Sequence, residues 1–414
     1  MRRFAPVAML VGMVLVRTAA LLALMKLLAV QFGADGFGQL SQILAVGALF
    51  SVLAGGGLTN GIVRNLAASE NPADHLKWIK AALPIAGFSA LLLALVAWLL
   101  HATAADALFA GAELGFVLIV IALSQAIVGF GNIALAYLSG TQNIRAFTFA
   151  NGAGSIAAAA LIGLLSYTAG FKGAAAGCAA MGLLPAVVGI AAAVRRVEWQ
   201  ELRTAALDRV RVTTLLRFGG SMYVAAAAVP LAWVYIRSDL ALREGWEAVG
   251  LWQSVSRISE AYMQVFGIIF MNYALPKLAA AAPADRLPRL RYISVLIFSL
   301  FVIGTSVLYF SRETILTLAF SPAFVDAAPY LAPQIIGDAF KLTSLLFVYY
   351  LMSRDRPTVL ASMEVLQALL VVAGYLVLVR SLGPTAAVMS YAIATSLVMV
   401  ATMLVVVRNR DSSD

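Results

Sequence analysis

The segment from Gly250 to Gln264, GLWQSVSRISEAYMQ, decides the architecture: it lies in an apolar run long enough to cross a bilayer, yet it carries Gln253, Arg257, Glu260 and Gln264. At about 100° per helical residue these four side chains share one face. An ionisable group at the centre of a spanning helix costs roughly 2.5 to 3.5 kcal/mol on insertion scales, so that face turns to a bundle interior or a wet cavity rather than to lipid. Two readings follow. Arg257 and Glu260, three residues apart, form a local pair that locks this helix to its neighbours, or the stripe lines a substrate path. The second reading requires polar groups from other helices, and the sequence supplies them.

Of the 414 residues, 62% are hydrophobic and 12% charged, with a mean hydropathy of +0.93, the composition of an all-α polytopic membrane protein. A single cysteine, Cys178, excludes a disulfide framework, and no Cys/His spacing suits a metal. No cofactor is expected. His75 and His101 fall in expected connections and read as solvated loop residues. The net charge of +9 sits in short connectors, where it reports membrane orientation rather than a nucleic-acid partner. No glycine-rich loop ends in Lys-Ser or Lys-Thr, so ATP does not drive transport.

Twelve apolar segments reach or approach the roughly 20 residues a spanning helix needs. They are 5–31, 38–64, 79–100, 114–138, 147–168, 173–194, 215–236, 248–274, 291–310, 330–351, 358–379 and 385–407. The start, Met1-Arg2-Arg3 and an apolar run, resembles a signal peptide, but Arg17 interrupts it and the run continues, so it reads as an uncleaved first span. With the N terminus inside, 20 of the 29 Lys and Arg fall on the cytoplasmic side, Arg2, Arg3, Arg354, Arg356 and Arg410 among them. Only Lys172, Arg237, Arg243, Arg312 and Arg380 fall on the other. This bias places both termini in the cytoplasm.

The longest connector divides the chain into a six-helix bundle over 1–196, a cytoplasmic linker over 197–214 and a second six-helix bundle over 215–414. Trp199, Leu202, Ala206 and Val210 share a helical face in the linker, which lays it on the inner leaflet. A weak repeat relates the halves. Gly38, Ser41-Gln42 and Ile43 recur in the second half as Gly250, Gln253-Ser254 and Val255, and Tyr137-Leu138 recurs as Tyr350-Leu351, with Asn151 opposite Glu364. Six spans per half give both halves the same orientation, and transporters built this way hold substrate between them.

Other spans contribute Gln334, Asp338 and Lys341, Asn60 and Arg64, Gln125 and Asn132, and Glu364 and Gln367, each set on one helical face. Arg17 and Lys26 are nine residues apart and point to opposite faces; Arg17 is the better lumen candidate, while Lys26 joins the site or snorkels to the interface. Arg237 has Asp239 nearby and reads as a local pair or a solvated residue at the membrane edge. The cations Arg17, Arg257 and Lys341, with Arg64 at the inner mouth, suit an anion, and Arg holds phosphate oxygens in a forked pair of hydrogen bonds. Glu260 and Asp338 are candidates to pair with those cations in the empty site, and Glu260, Asp338 and Glu364 to carry a proton or sodium ion. Gln253, Gln264, Gln334, Gln125 and Asn132, with Trp252, Tyr262 and Tyr273, make a sugar-compatible surface.

The segments Lys26 to Val30 with Phe32-Gly33, Glu247 to Tyr262, Pro276 and Gly337-Asp338 resemble the Wzx flippases of the multidrug/oligosaccharidyl-lipid/polysaccharide exporter superfamily. Val249 to Tyr262 is the most specific piece, and the likeness is strongest to the branch that flips the enterobacterial common antigen unit. The resemblance implies a MATE-like, V-shaped pair of six-helix bundles around a cationic cavity in a bacterial inner membrane. It implies a flippase for an undecaprenyl-diphosphate-linked oligosaccharide of the O-antigen or common-antigen type, and the polar groups read above then place Arg17, Lys26, Asn60, Arg64, Gln253, Arg257 and Lys341 around the substrate. A polysaccharide polymerase and a chain-length regulator are the implied partners. Two relatives in class remain as alternatives, a multidrug cation antiporter, which the lumen cations disfavour, and a flippase for the peptidoglycan precursor. An enzyme would need a catalytic loop or an acidic metal cluster, and neither is present in the sequence.

Overall fold

The computed structural model describes residues 5–408 apart from 70, 110–111, 205, 275–276, 279–280, 282 and 353–357. Arg2, Arg3, Pro276, Arg354, Arg356 and Arg410 therefore lie outside the described residues. The described chain is helical throughout, with no strand. Among the described residues nine helices are long and apolar enough to cross a membrane, and the chain is a multi-pass membrane protein. In lipid this is the expected outcome, because a helix satisfies every backbone polar group within one segment.

Three of the nine, Val16–Leu53, Ile144–Ala179 and Tyr223–Ile269, are 38, 36 and 47 residues long, well beyond one crossing. Each is interrupted by one glycine outside helical backbone geometry, Gly33 (φ 65°), Gly170 (φ 57°) and Gly245 (φ 85°). Each glycine falls between two of the twelve apolar segments, so the connectors expected at 31–37, 168–173 and 236–248 are bends instead of loops. Positive φ costs glycine no Cβ clash and is uncommon for other residues. The bends obey the repeat: Gly245 answers Gly33 in the register that pairs Gly250 with Gly38, and Gly383 (φ 50°) answers Gly170 in the register that pairs Tyr350 with Tyr137.

Further departures are local. The second segment breaks after Leu53: Gly55 takes φ 138°, Gly56–Leu58 form a tight turn, and the helix resumes as Thr59–Ala67. The helix Pro72–Phe109 extends past both ends of the expected span and contains both histidines, which are not in loops. His75 Nε2 lies 2.7 Å from the Ser69 carbonyl and His101 Nδ1 2.9 Å from that of Trp98. The linker is not one continuous helix. Trp199–Thr204 is a single short helix, and the next starts at Arg209. Leu202 is buried in an apolar cluster with Leu76 and Ile79, whereas Val210 is exposed, so the face expected to lie on lipid is divided.

Contacts divide the chain into two compact units, Met1–Phe32 with Gln39–Ser238, and Gly33–Gly38 with Asp239–Asp414. In the first, fully buried Gln42 donates through Nε2 to Ser238 Oγ (2.9 Å) and to the carbonyls of Val234 (3.1 Å) and Leu108 (3.2 Å). One amide thus ties three helices together. In the second, Phe37 packs edge-on against Phe320 and Phe324, and an aromatic and aliphatic core runs from Phe266 through Phe301 to Leu346.

Candidate functional site

Asp338, on the helix Ala328–Met352, is the most enclosed charged residue among the described residues of the second unit. It accepts hydrogen bonds from Ser259 Oγ (2.6 Å), Tyr391 Oη (2.7 Å), Tyr262 Oη and Gln334 Nε2 (3.4 Å). Gln334 Nε2 also reaches Ser259 Oγ at 3.1 Å. Ser259 and Tyr262 come from the helix that carries the Gly250 to Gln264 stretch, one turn apart and so on one side of it. These partners are all neutral. A proton or a small cation arriving at Asp338 would therefore change the net charge of the network by one unit, with no local counter-charge to cancel it.

The pairing of Asp338 with a cation, expected from its place on the Lys341 face, does not occur. Lys341, one turn further along the same helix, instead donates to Glu364 Oε1 (2.9 Å) and Gln367 Oε1 (2.5 Å). The reason is local: three hydroxyls and an amide already occupy the Asp338 oxygens, while Glu364 and Gln367 stand together on the neighbouring helix Thr358–Leu382. Arg257 Nη1 is paired with Glu260 Oε2 at 2.7 Å, as its three-residue spacing allows. Arg257 keeps one donor in reserve, since its buried Nε has no hydrogen-bond partner among the described residues. Along the stripe Gln253 is buried, Arg257 half-buried, and Glu260 and Gln264 exposed. Arg257, Asp338 and Lys341 thus belong to three separate networks.

Asp239 pairs with Arg243 (2.6 Å) and accepts from Tyr375 Oη (2.9 Å), while Arg237, expected to be its partner or solvated, is buried in the first unit. In that unit Lys26, Asn60 and Arg64 are exposed. Arg64 sits in the last turn of its helix, where a cation complements the helix dipole. Arg17, also exposed, stands at a cavity of about 260 Å³ that Gln125, Asn132 and Asn151 line as well.

Sequence reasoning missed Ser259 and Tyr391 as partners of Asp338. Ser259 lies inside the stretch quoted first, but a serine in an apolar helix commonly bonds its own backbone. Tyr391 is an isolated hydroxyl in the last span, and nothing in helical spacing says which other helix it meets.

The family model described as "Polysaccharide biosynthesis protein" matches residues 7–281. The chain is 29% identical over 378 residues to the lipid III flippase of Escherichia coli (strain K12), covering 88% of each chain, and the same holds for the lipid III flippase of Shigella flexneri. Among solved structures it is similar to a multidrug resistance MATE family transporter of the MOP superfamily in its inward-facing conformation, with TM-score 0.79, 16% identity and 98% of each chain covered. It is also similar to the lipid II flippase MurJ in an inward closed conformation, with TM-score 0.73, 12% identity, and 96% of this chain and 87% of that one covered. At these identities the two structures speak for the fold alone.

Proposed function

The chain belongs to the polysaccharide biosynthesis protein family, and from that premise we propose that it flips an undecaprenyl-diphosphate-linked oligosaccharide, of the O-antigen or lipid III type, across a bacterial inner membrane. The observation that carries this reading is the likeness to the lipid III flippase of Escherichia coli, which extends over 88% of both chains instead of a single motif. The headgroup enters from the cytoplasmic side, where both termini lie, and the polyprenyl tail stays in lipid. Arg17, Arg64, Arg257 and Lys341 hold the diphosphate and any acidic sugar, with Lys26, Asn60 and Gln253 beside them. The two bundles, 1–196 and 215–414 about the 197–214 linker, then rock to expose the headgroup to the periplasm.

No covalent bond changes in this process, so the chain is a transporter and not an enzyme. Glu260, Asp338 or Glu364 couples movement to a proton or sodium gradient, and the all-neutral shell of Asp338 favours that residue. A polymerase and a chain-length regulator act on the delivered unit. The fold is shared with multidrug transporters, but Arg and Lys inside the spans suit an anion better than a cationic drug.

The test is mass spectrometry of the lipid-linked sugars in a deletion strain, beside Arg257→Glu in the complemented strain. The reading requires undecaprenyl-diphosphate oligosaccharide to accumulate on deletion, and Arg257→Glu, inserted at normal abundance, to restore little surface polysaccharide. Unchanged lipid-linked pools on deletion would overturn it.

A further inference from the structure

We propose that the first unit contains its own subsite for one anionic sugar ring of the translocated headgroup. This deepens the headgroup-transport reading and rests on it. The site is the cavity of about 260 Å³ beside Arg17, whose polar wall is Arg17, Ser51, Gln125, Asn132, Asn151 and Ser155. Every residue that lines it belongs to the first unit, and no carboxylate is among them.

The cavity is built for a polar guest. Gln125 is only 3% exposed, yet its Oε1 has no hydrogen-bond partner among the described residues. Buried acceptors are nearly always satisfied, so an unsatisfied one on a residue that lines a cavity points to a ligand or an ordered water there. Asn132 gives Nδ2 to the Ser51 carbonyl (3.2 Å) and Ser51 Oγ (3.3 Å), which fixes the amide and leaves its Oδ1 for a hydroxyl.

The internal repeat shows why the space is open. Asp338 answers Gln125, and Tyr391 answers Cys178, in the register that pairs Tyr350 with Tyr137; Ser259 answers Gly47 in the register that pairs Gly250 with Gly38. In the second unit Tyr391 and Ser259 bond the carboxylate they surround. In the first unit the corresponding positions are cysteine and glycine, both lining the cavity. One scaffold thus packs a phenol and a serine hydroxyl around Asp338 in one half and leaves volume beside Gln125 in the other.

The chemistry selects the guest. One guanidinium, three amides and two hydroxyls with no carboxylate call for a negative charge together with several hydroxyl groups. A neutral sugar would leave Arg17 without a counter-charge, and an oligosaccharide with its diphosphate exceeds the space. A carboxylate-bearing pyranose satisfies both conditions; a phosphate satisfies the charge alone.

Cys178 is the only cysteine of the chain, lines the cavity and is 1% exposed, so a reagent that labels it has entered the cavity. The full chain in lipid nanodiscs is labelled with two methanethiosulfonates, one sulfonatoethyl and one trimethylammonioethyl, each rate normalised to a free thiol. Arg17 should favour the anionic reagent by about tenfold, the lower end of electrostatic focusing in a charged cleft. Arg17→Gln should remove the preference and Arg17→Lys should keep it. Sodium glucuronate should protect Cys178 and glucose should not, and Gln125→Leu should weaken the protection. Equal rates for the two reagents, no labelling by either, or equal protection by glucose would overturn the subsite. Protection by inorganic phosphate without protection by glucuronate would overturn the sugar assignment and give the cavity to the diphosphate. Flipping is measured on the same purified protein reconstituted in sealed vesicles: intact flipping without glucuronate protection removes the subsite alone, whereas a wild-type protein that does not flip removes the parent reading.

Discussion

Gly38 and Gly250 pack backbone against backbone within the second unit. A methyl group at Gly38 would stand 2.3 Å from the Trp246 carbonyl oxygen and 2.9 Å from the Gly250 nitrogen, and one at Gly250 would stand 1.9 Å from the Ala34 oxygen. Trp246 and Gly250 are the repeat counterparts of Ala34 and Gly38, so each helix offers the other the same surface. Small residues let helices approach this closely in a membrane, where lipid tails leave no hydrophobic drive for association and packing must hold the pair.

Gly250→Ala should therefore destabilise the protein by about 1–3 kcal/mol, the usual cost of overpacking, because the obstructing atom is backbone and cannot rotate away. Gly304→Ala is the comparison, since a methyl there meets nothing within 4 Å and alanine is the better helix former. Thermal unfolding in detergent should show a lower midpoint for the first and none of that loss for the second. Equal midpoints would mean that the helices part without cost.

Asp338→Asn keeps the size and most of the hydrogen bonding of the buried side chain but cannot change charge. If Asp338 couples transport to an ion gradient, this variant should still bind lipid-linked oligosaccharide, while flipping in reconstituted vesicles ceases to respond to proton or sodium gradients. Tyr391→Phe should give a weaker version of the same defect, since it removes one of three hydroxyl donors, each worth roughly 1.5–3 kcal/mol to a charged acceptor. A gradient response that survives Asp338→Asn would move the coupling to Glu260 or Glu364.

The spans are legible in the sequence because lipid demands long apolar runs, and the repeat of Gly38 with Gly250 is legible as a spacing. What spacing hides is the conformation of single residues. Gly33, Gly170 and Gly245 fall in expected connectors, and in the structure each is a bend that lets one helix serve two segments. Partners from other helices are hidden for the same reason. The turn-by-turn order on one helix puts Gln334, Asp338 and Lys341 on a common face, but Tyr391 and Glu364, which decide that Asp338 and Lys341 part company, lie on different helices. The cavity at Gln125 is equally unreadable, because it depends on what is missing at Gly47 and Cys178.

The linker should be held by Arg211. Its guanidinium pairs with Asp74 at 2.5 Å and Asp208 at 3.0 Å and lies over the Trp78 ring at 5.1 Å, while Lys80 Nζ donates to the Leu202 carbonyl at 3.1 Å. Accessible ion pairs contribute only about 0–1 kcal/mol, so Arg211→Ala should barely move the unfolding midpoint. It should instead speed proteinase K cleavage within 197–208, and Arg211→Lys should not restore protection, because lysine lacks the planar fork that serves two carboxylates and the ring together. Unchanged cleavage would show that Leu202, buried beneath, holds the segment by itself.

Lys341 is held by Glu364 and Gln367 in this conformation, so an anionic headgroup must compete for it. The Lys341 and Glu364 side chains are 19% and 28% exposed, much as Arg211 and Asp74 are, but they stand inside spanning helices, where water cannot replace a lost partner. Lys341→Met and Glu364→Gln should each destabilise, by less than the roughly 3–5 kcal/mol of a fully buried broken pair. The double variant should recover about 1–3 kcal/mol of the summed loss, and additivity within about 0.5 kcal/mol would show that the two charges do not interact. The functional consequence has the opposite sign for one of them. Glu364→Gln releases Lys341 from its carboxylate and should tighten binding of undecaprenyl diphosphate in a vesicle assay, whereas Lys341→Met should weaken it; a Glu364→Gln variant that binds no better than the parent would mean that Lys341 does not meet the phosphates.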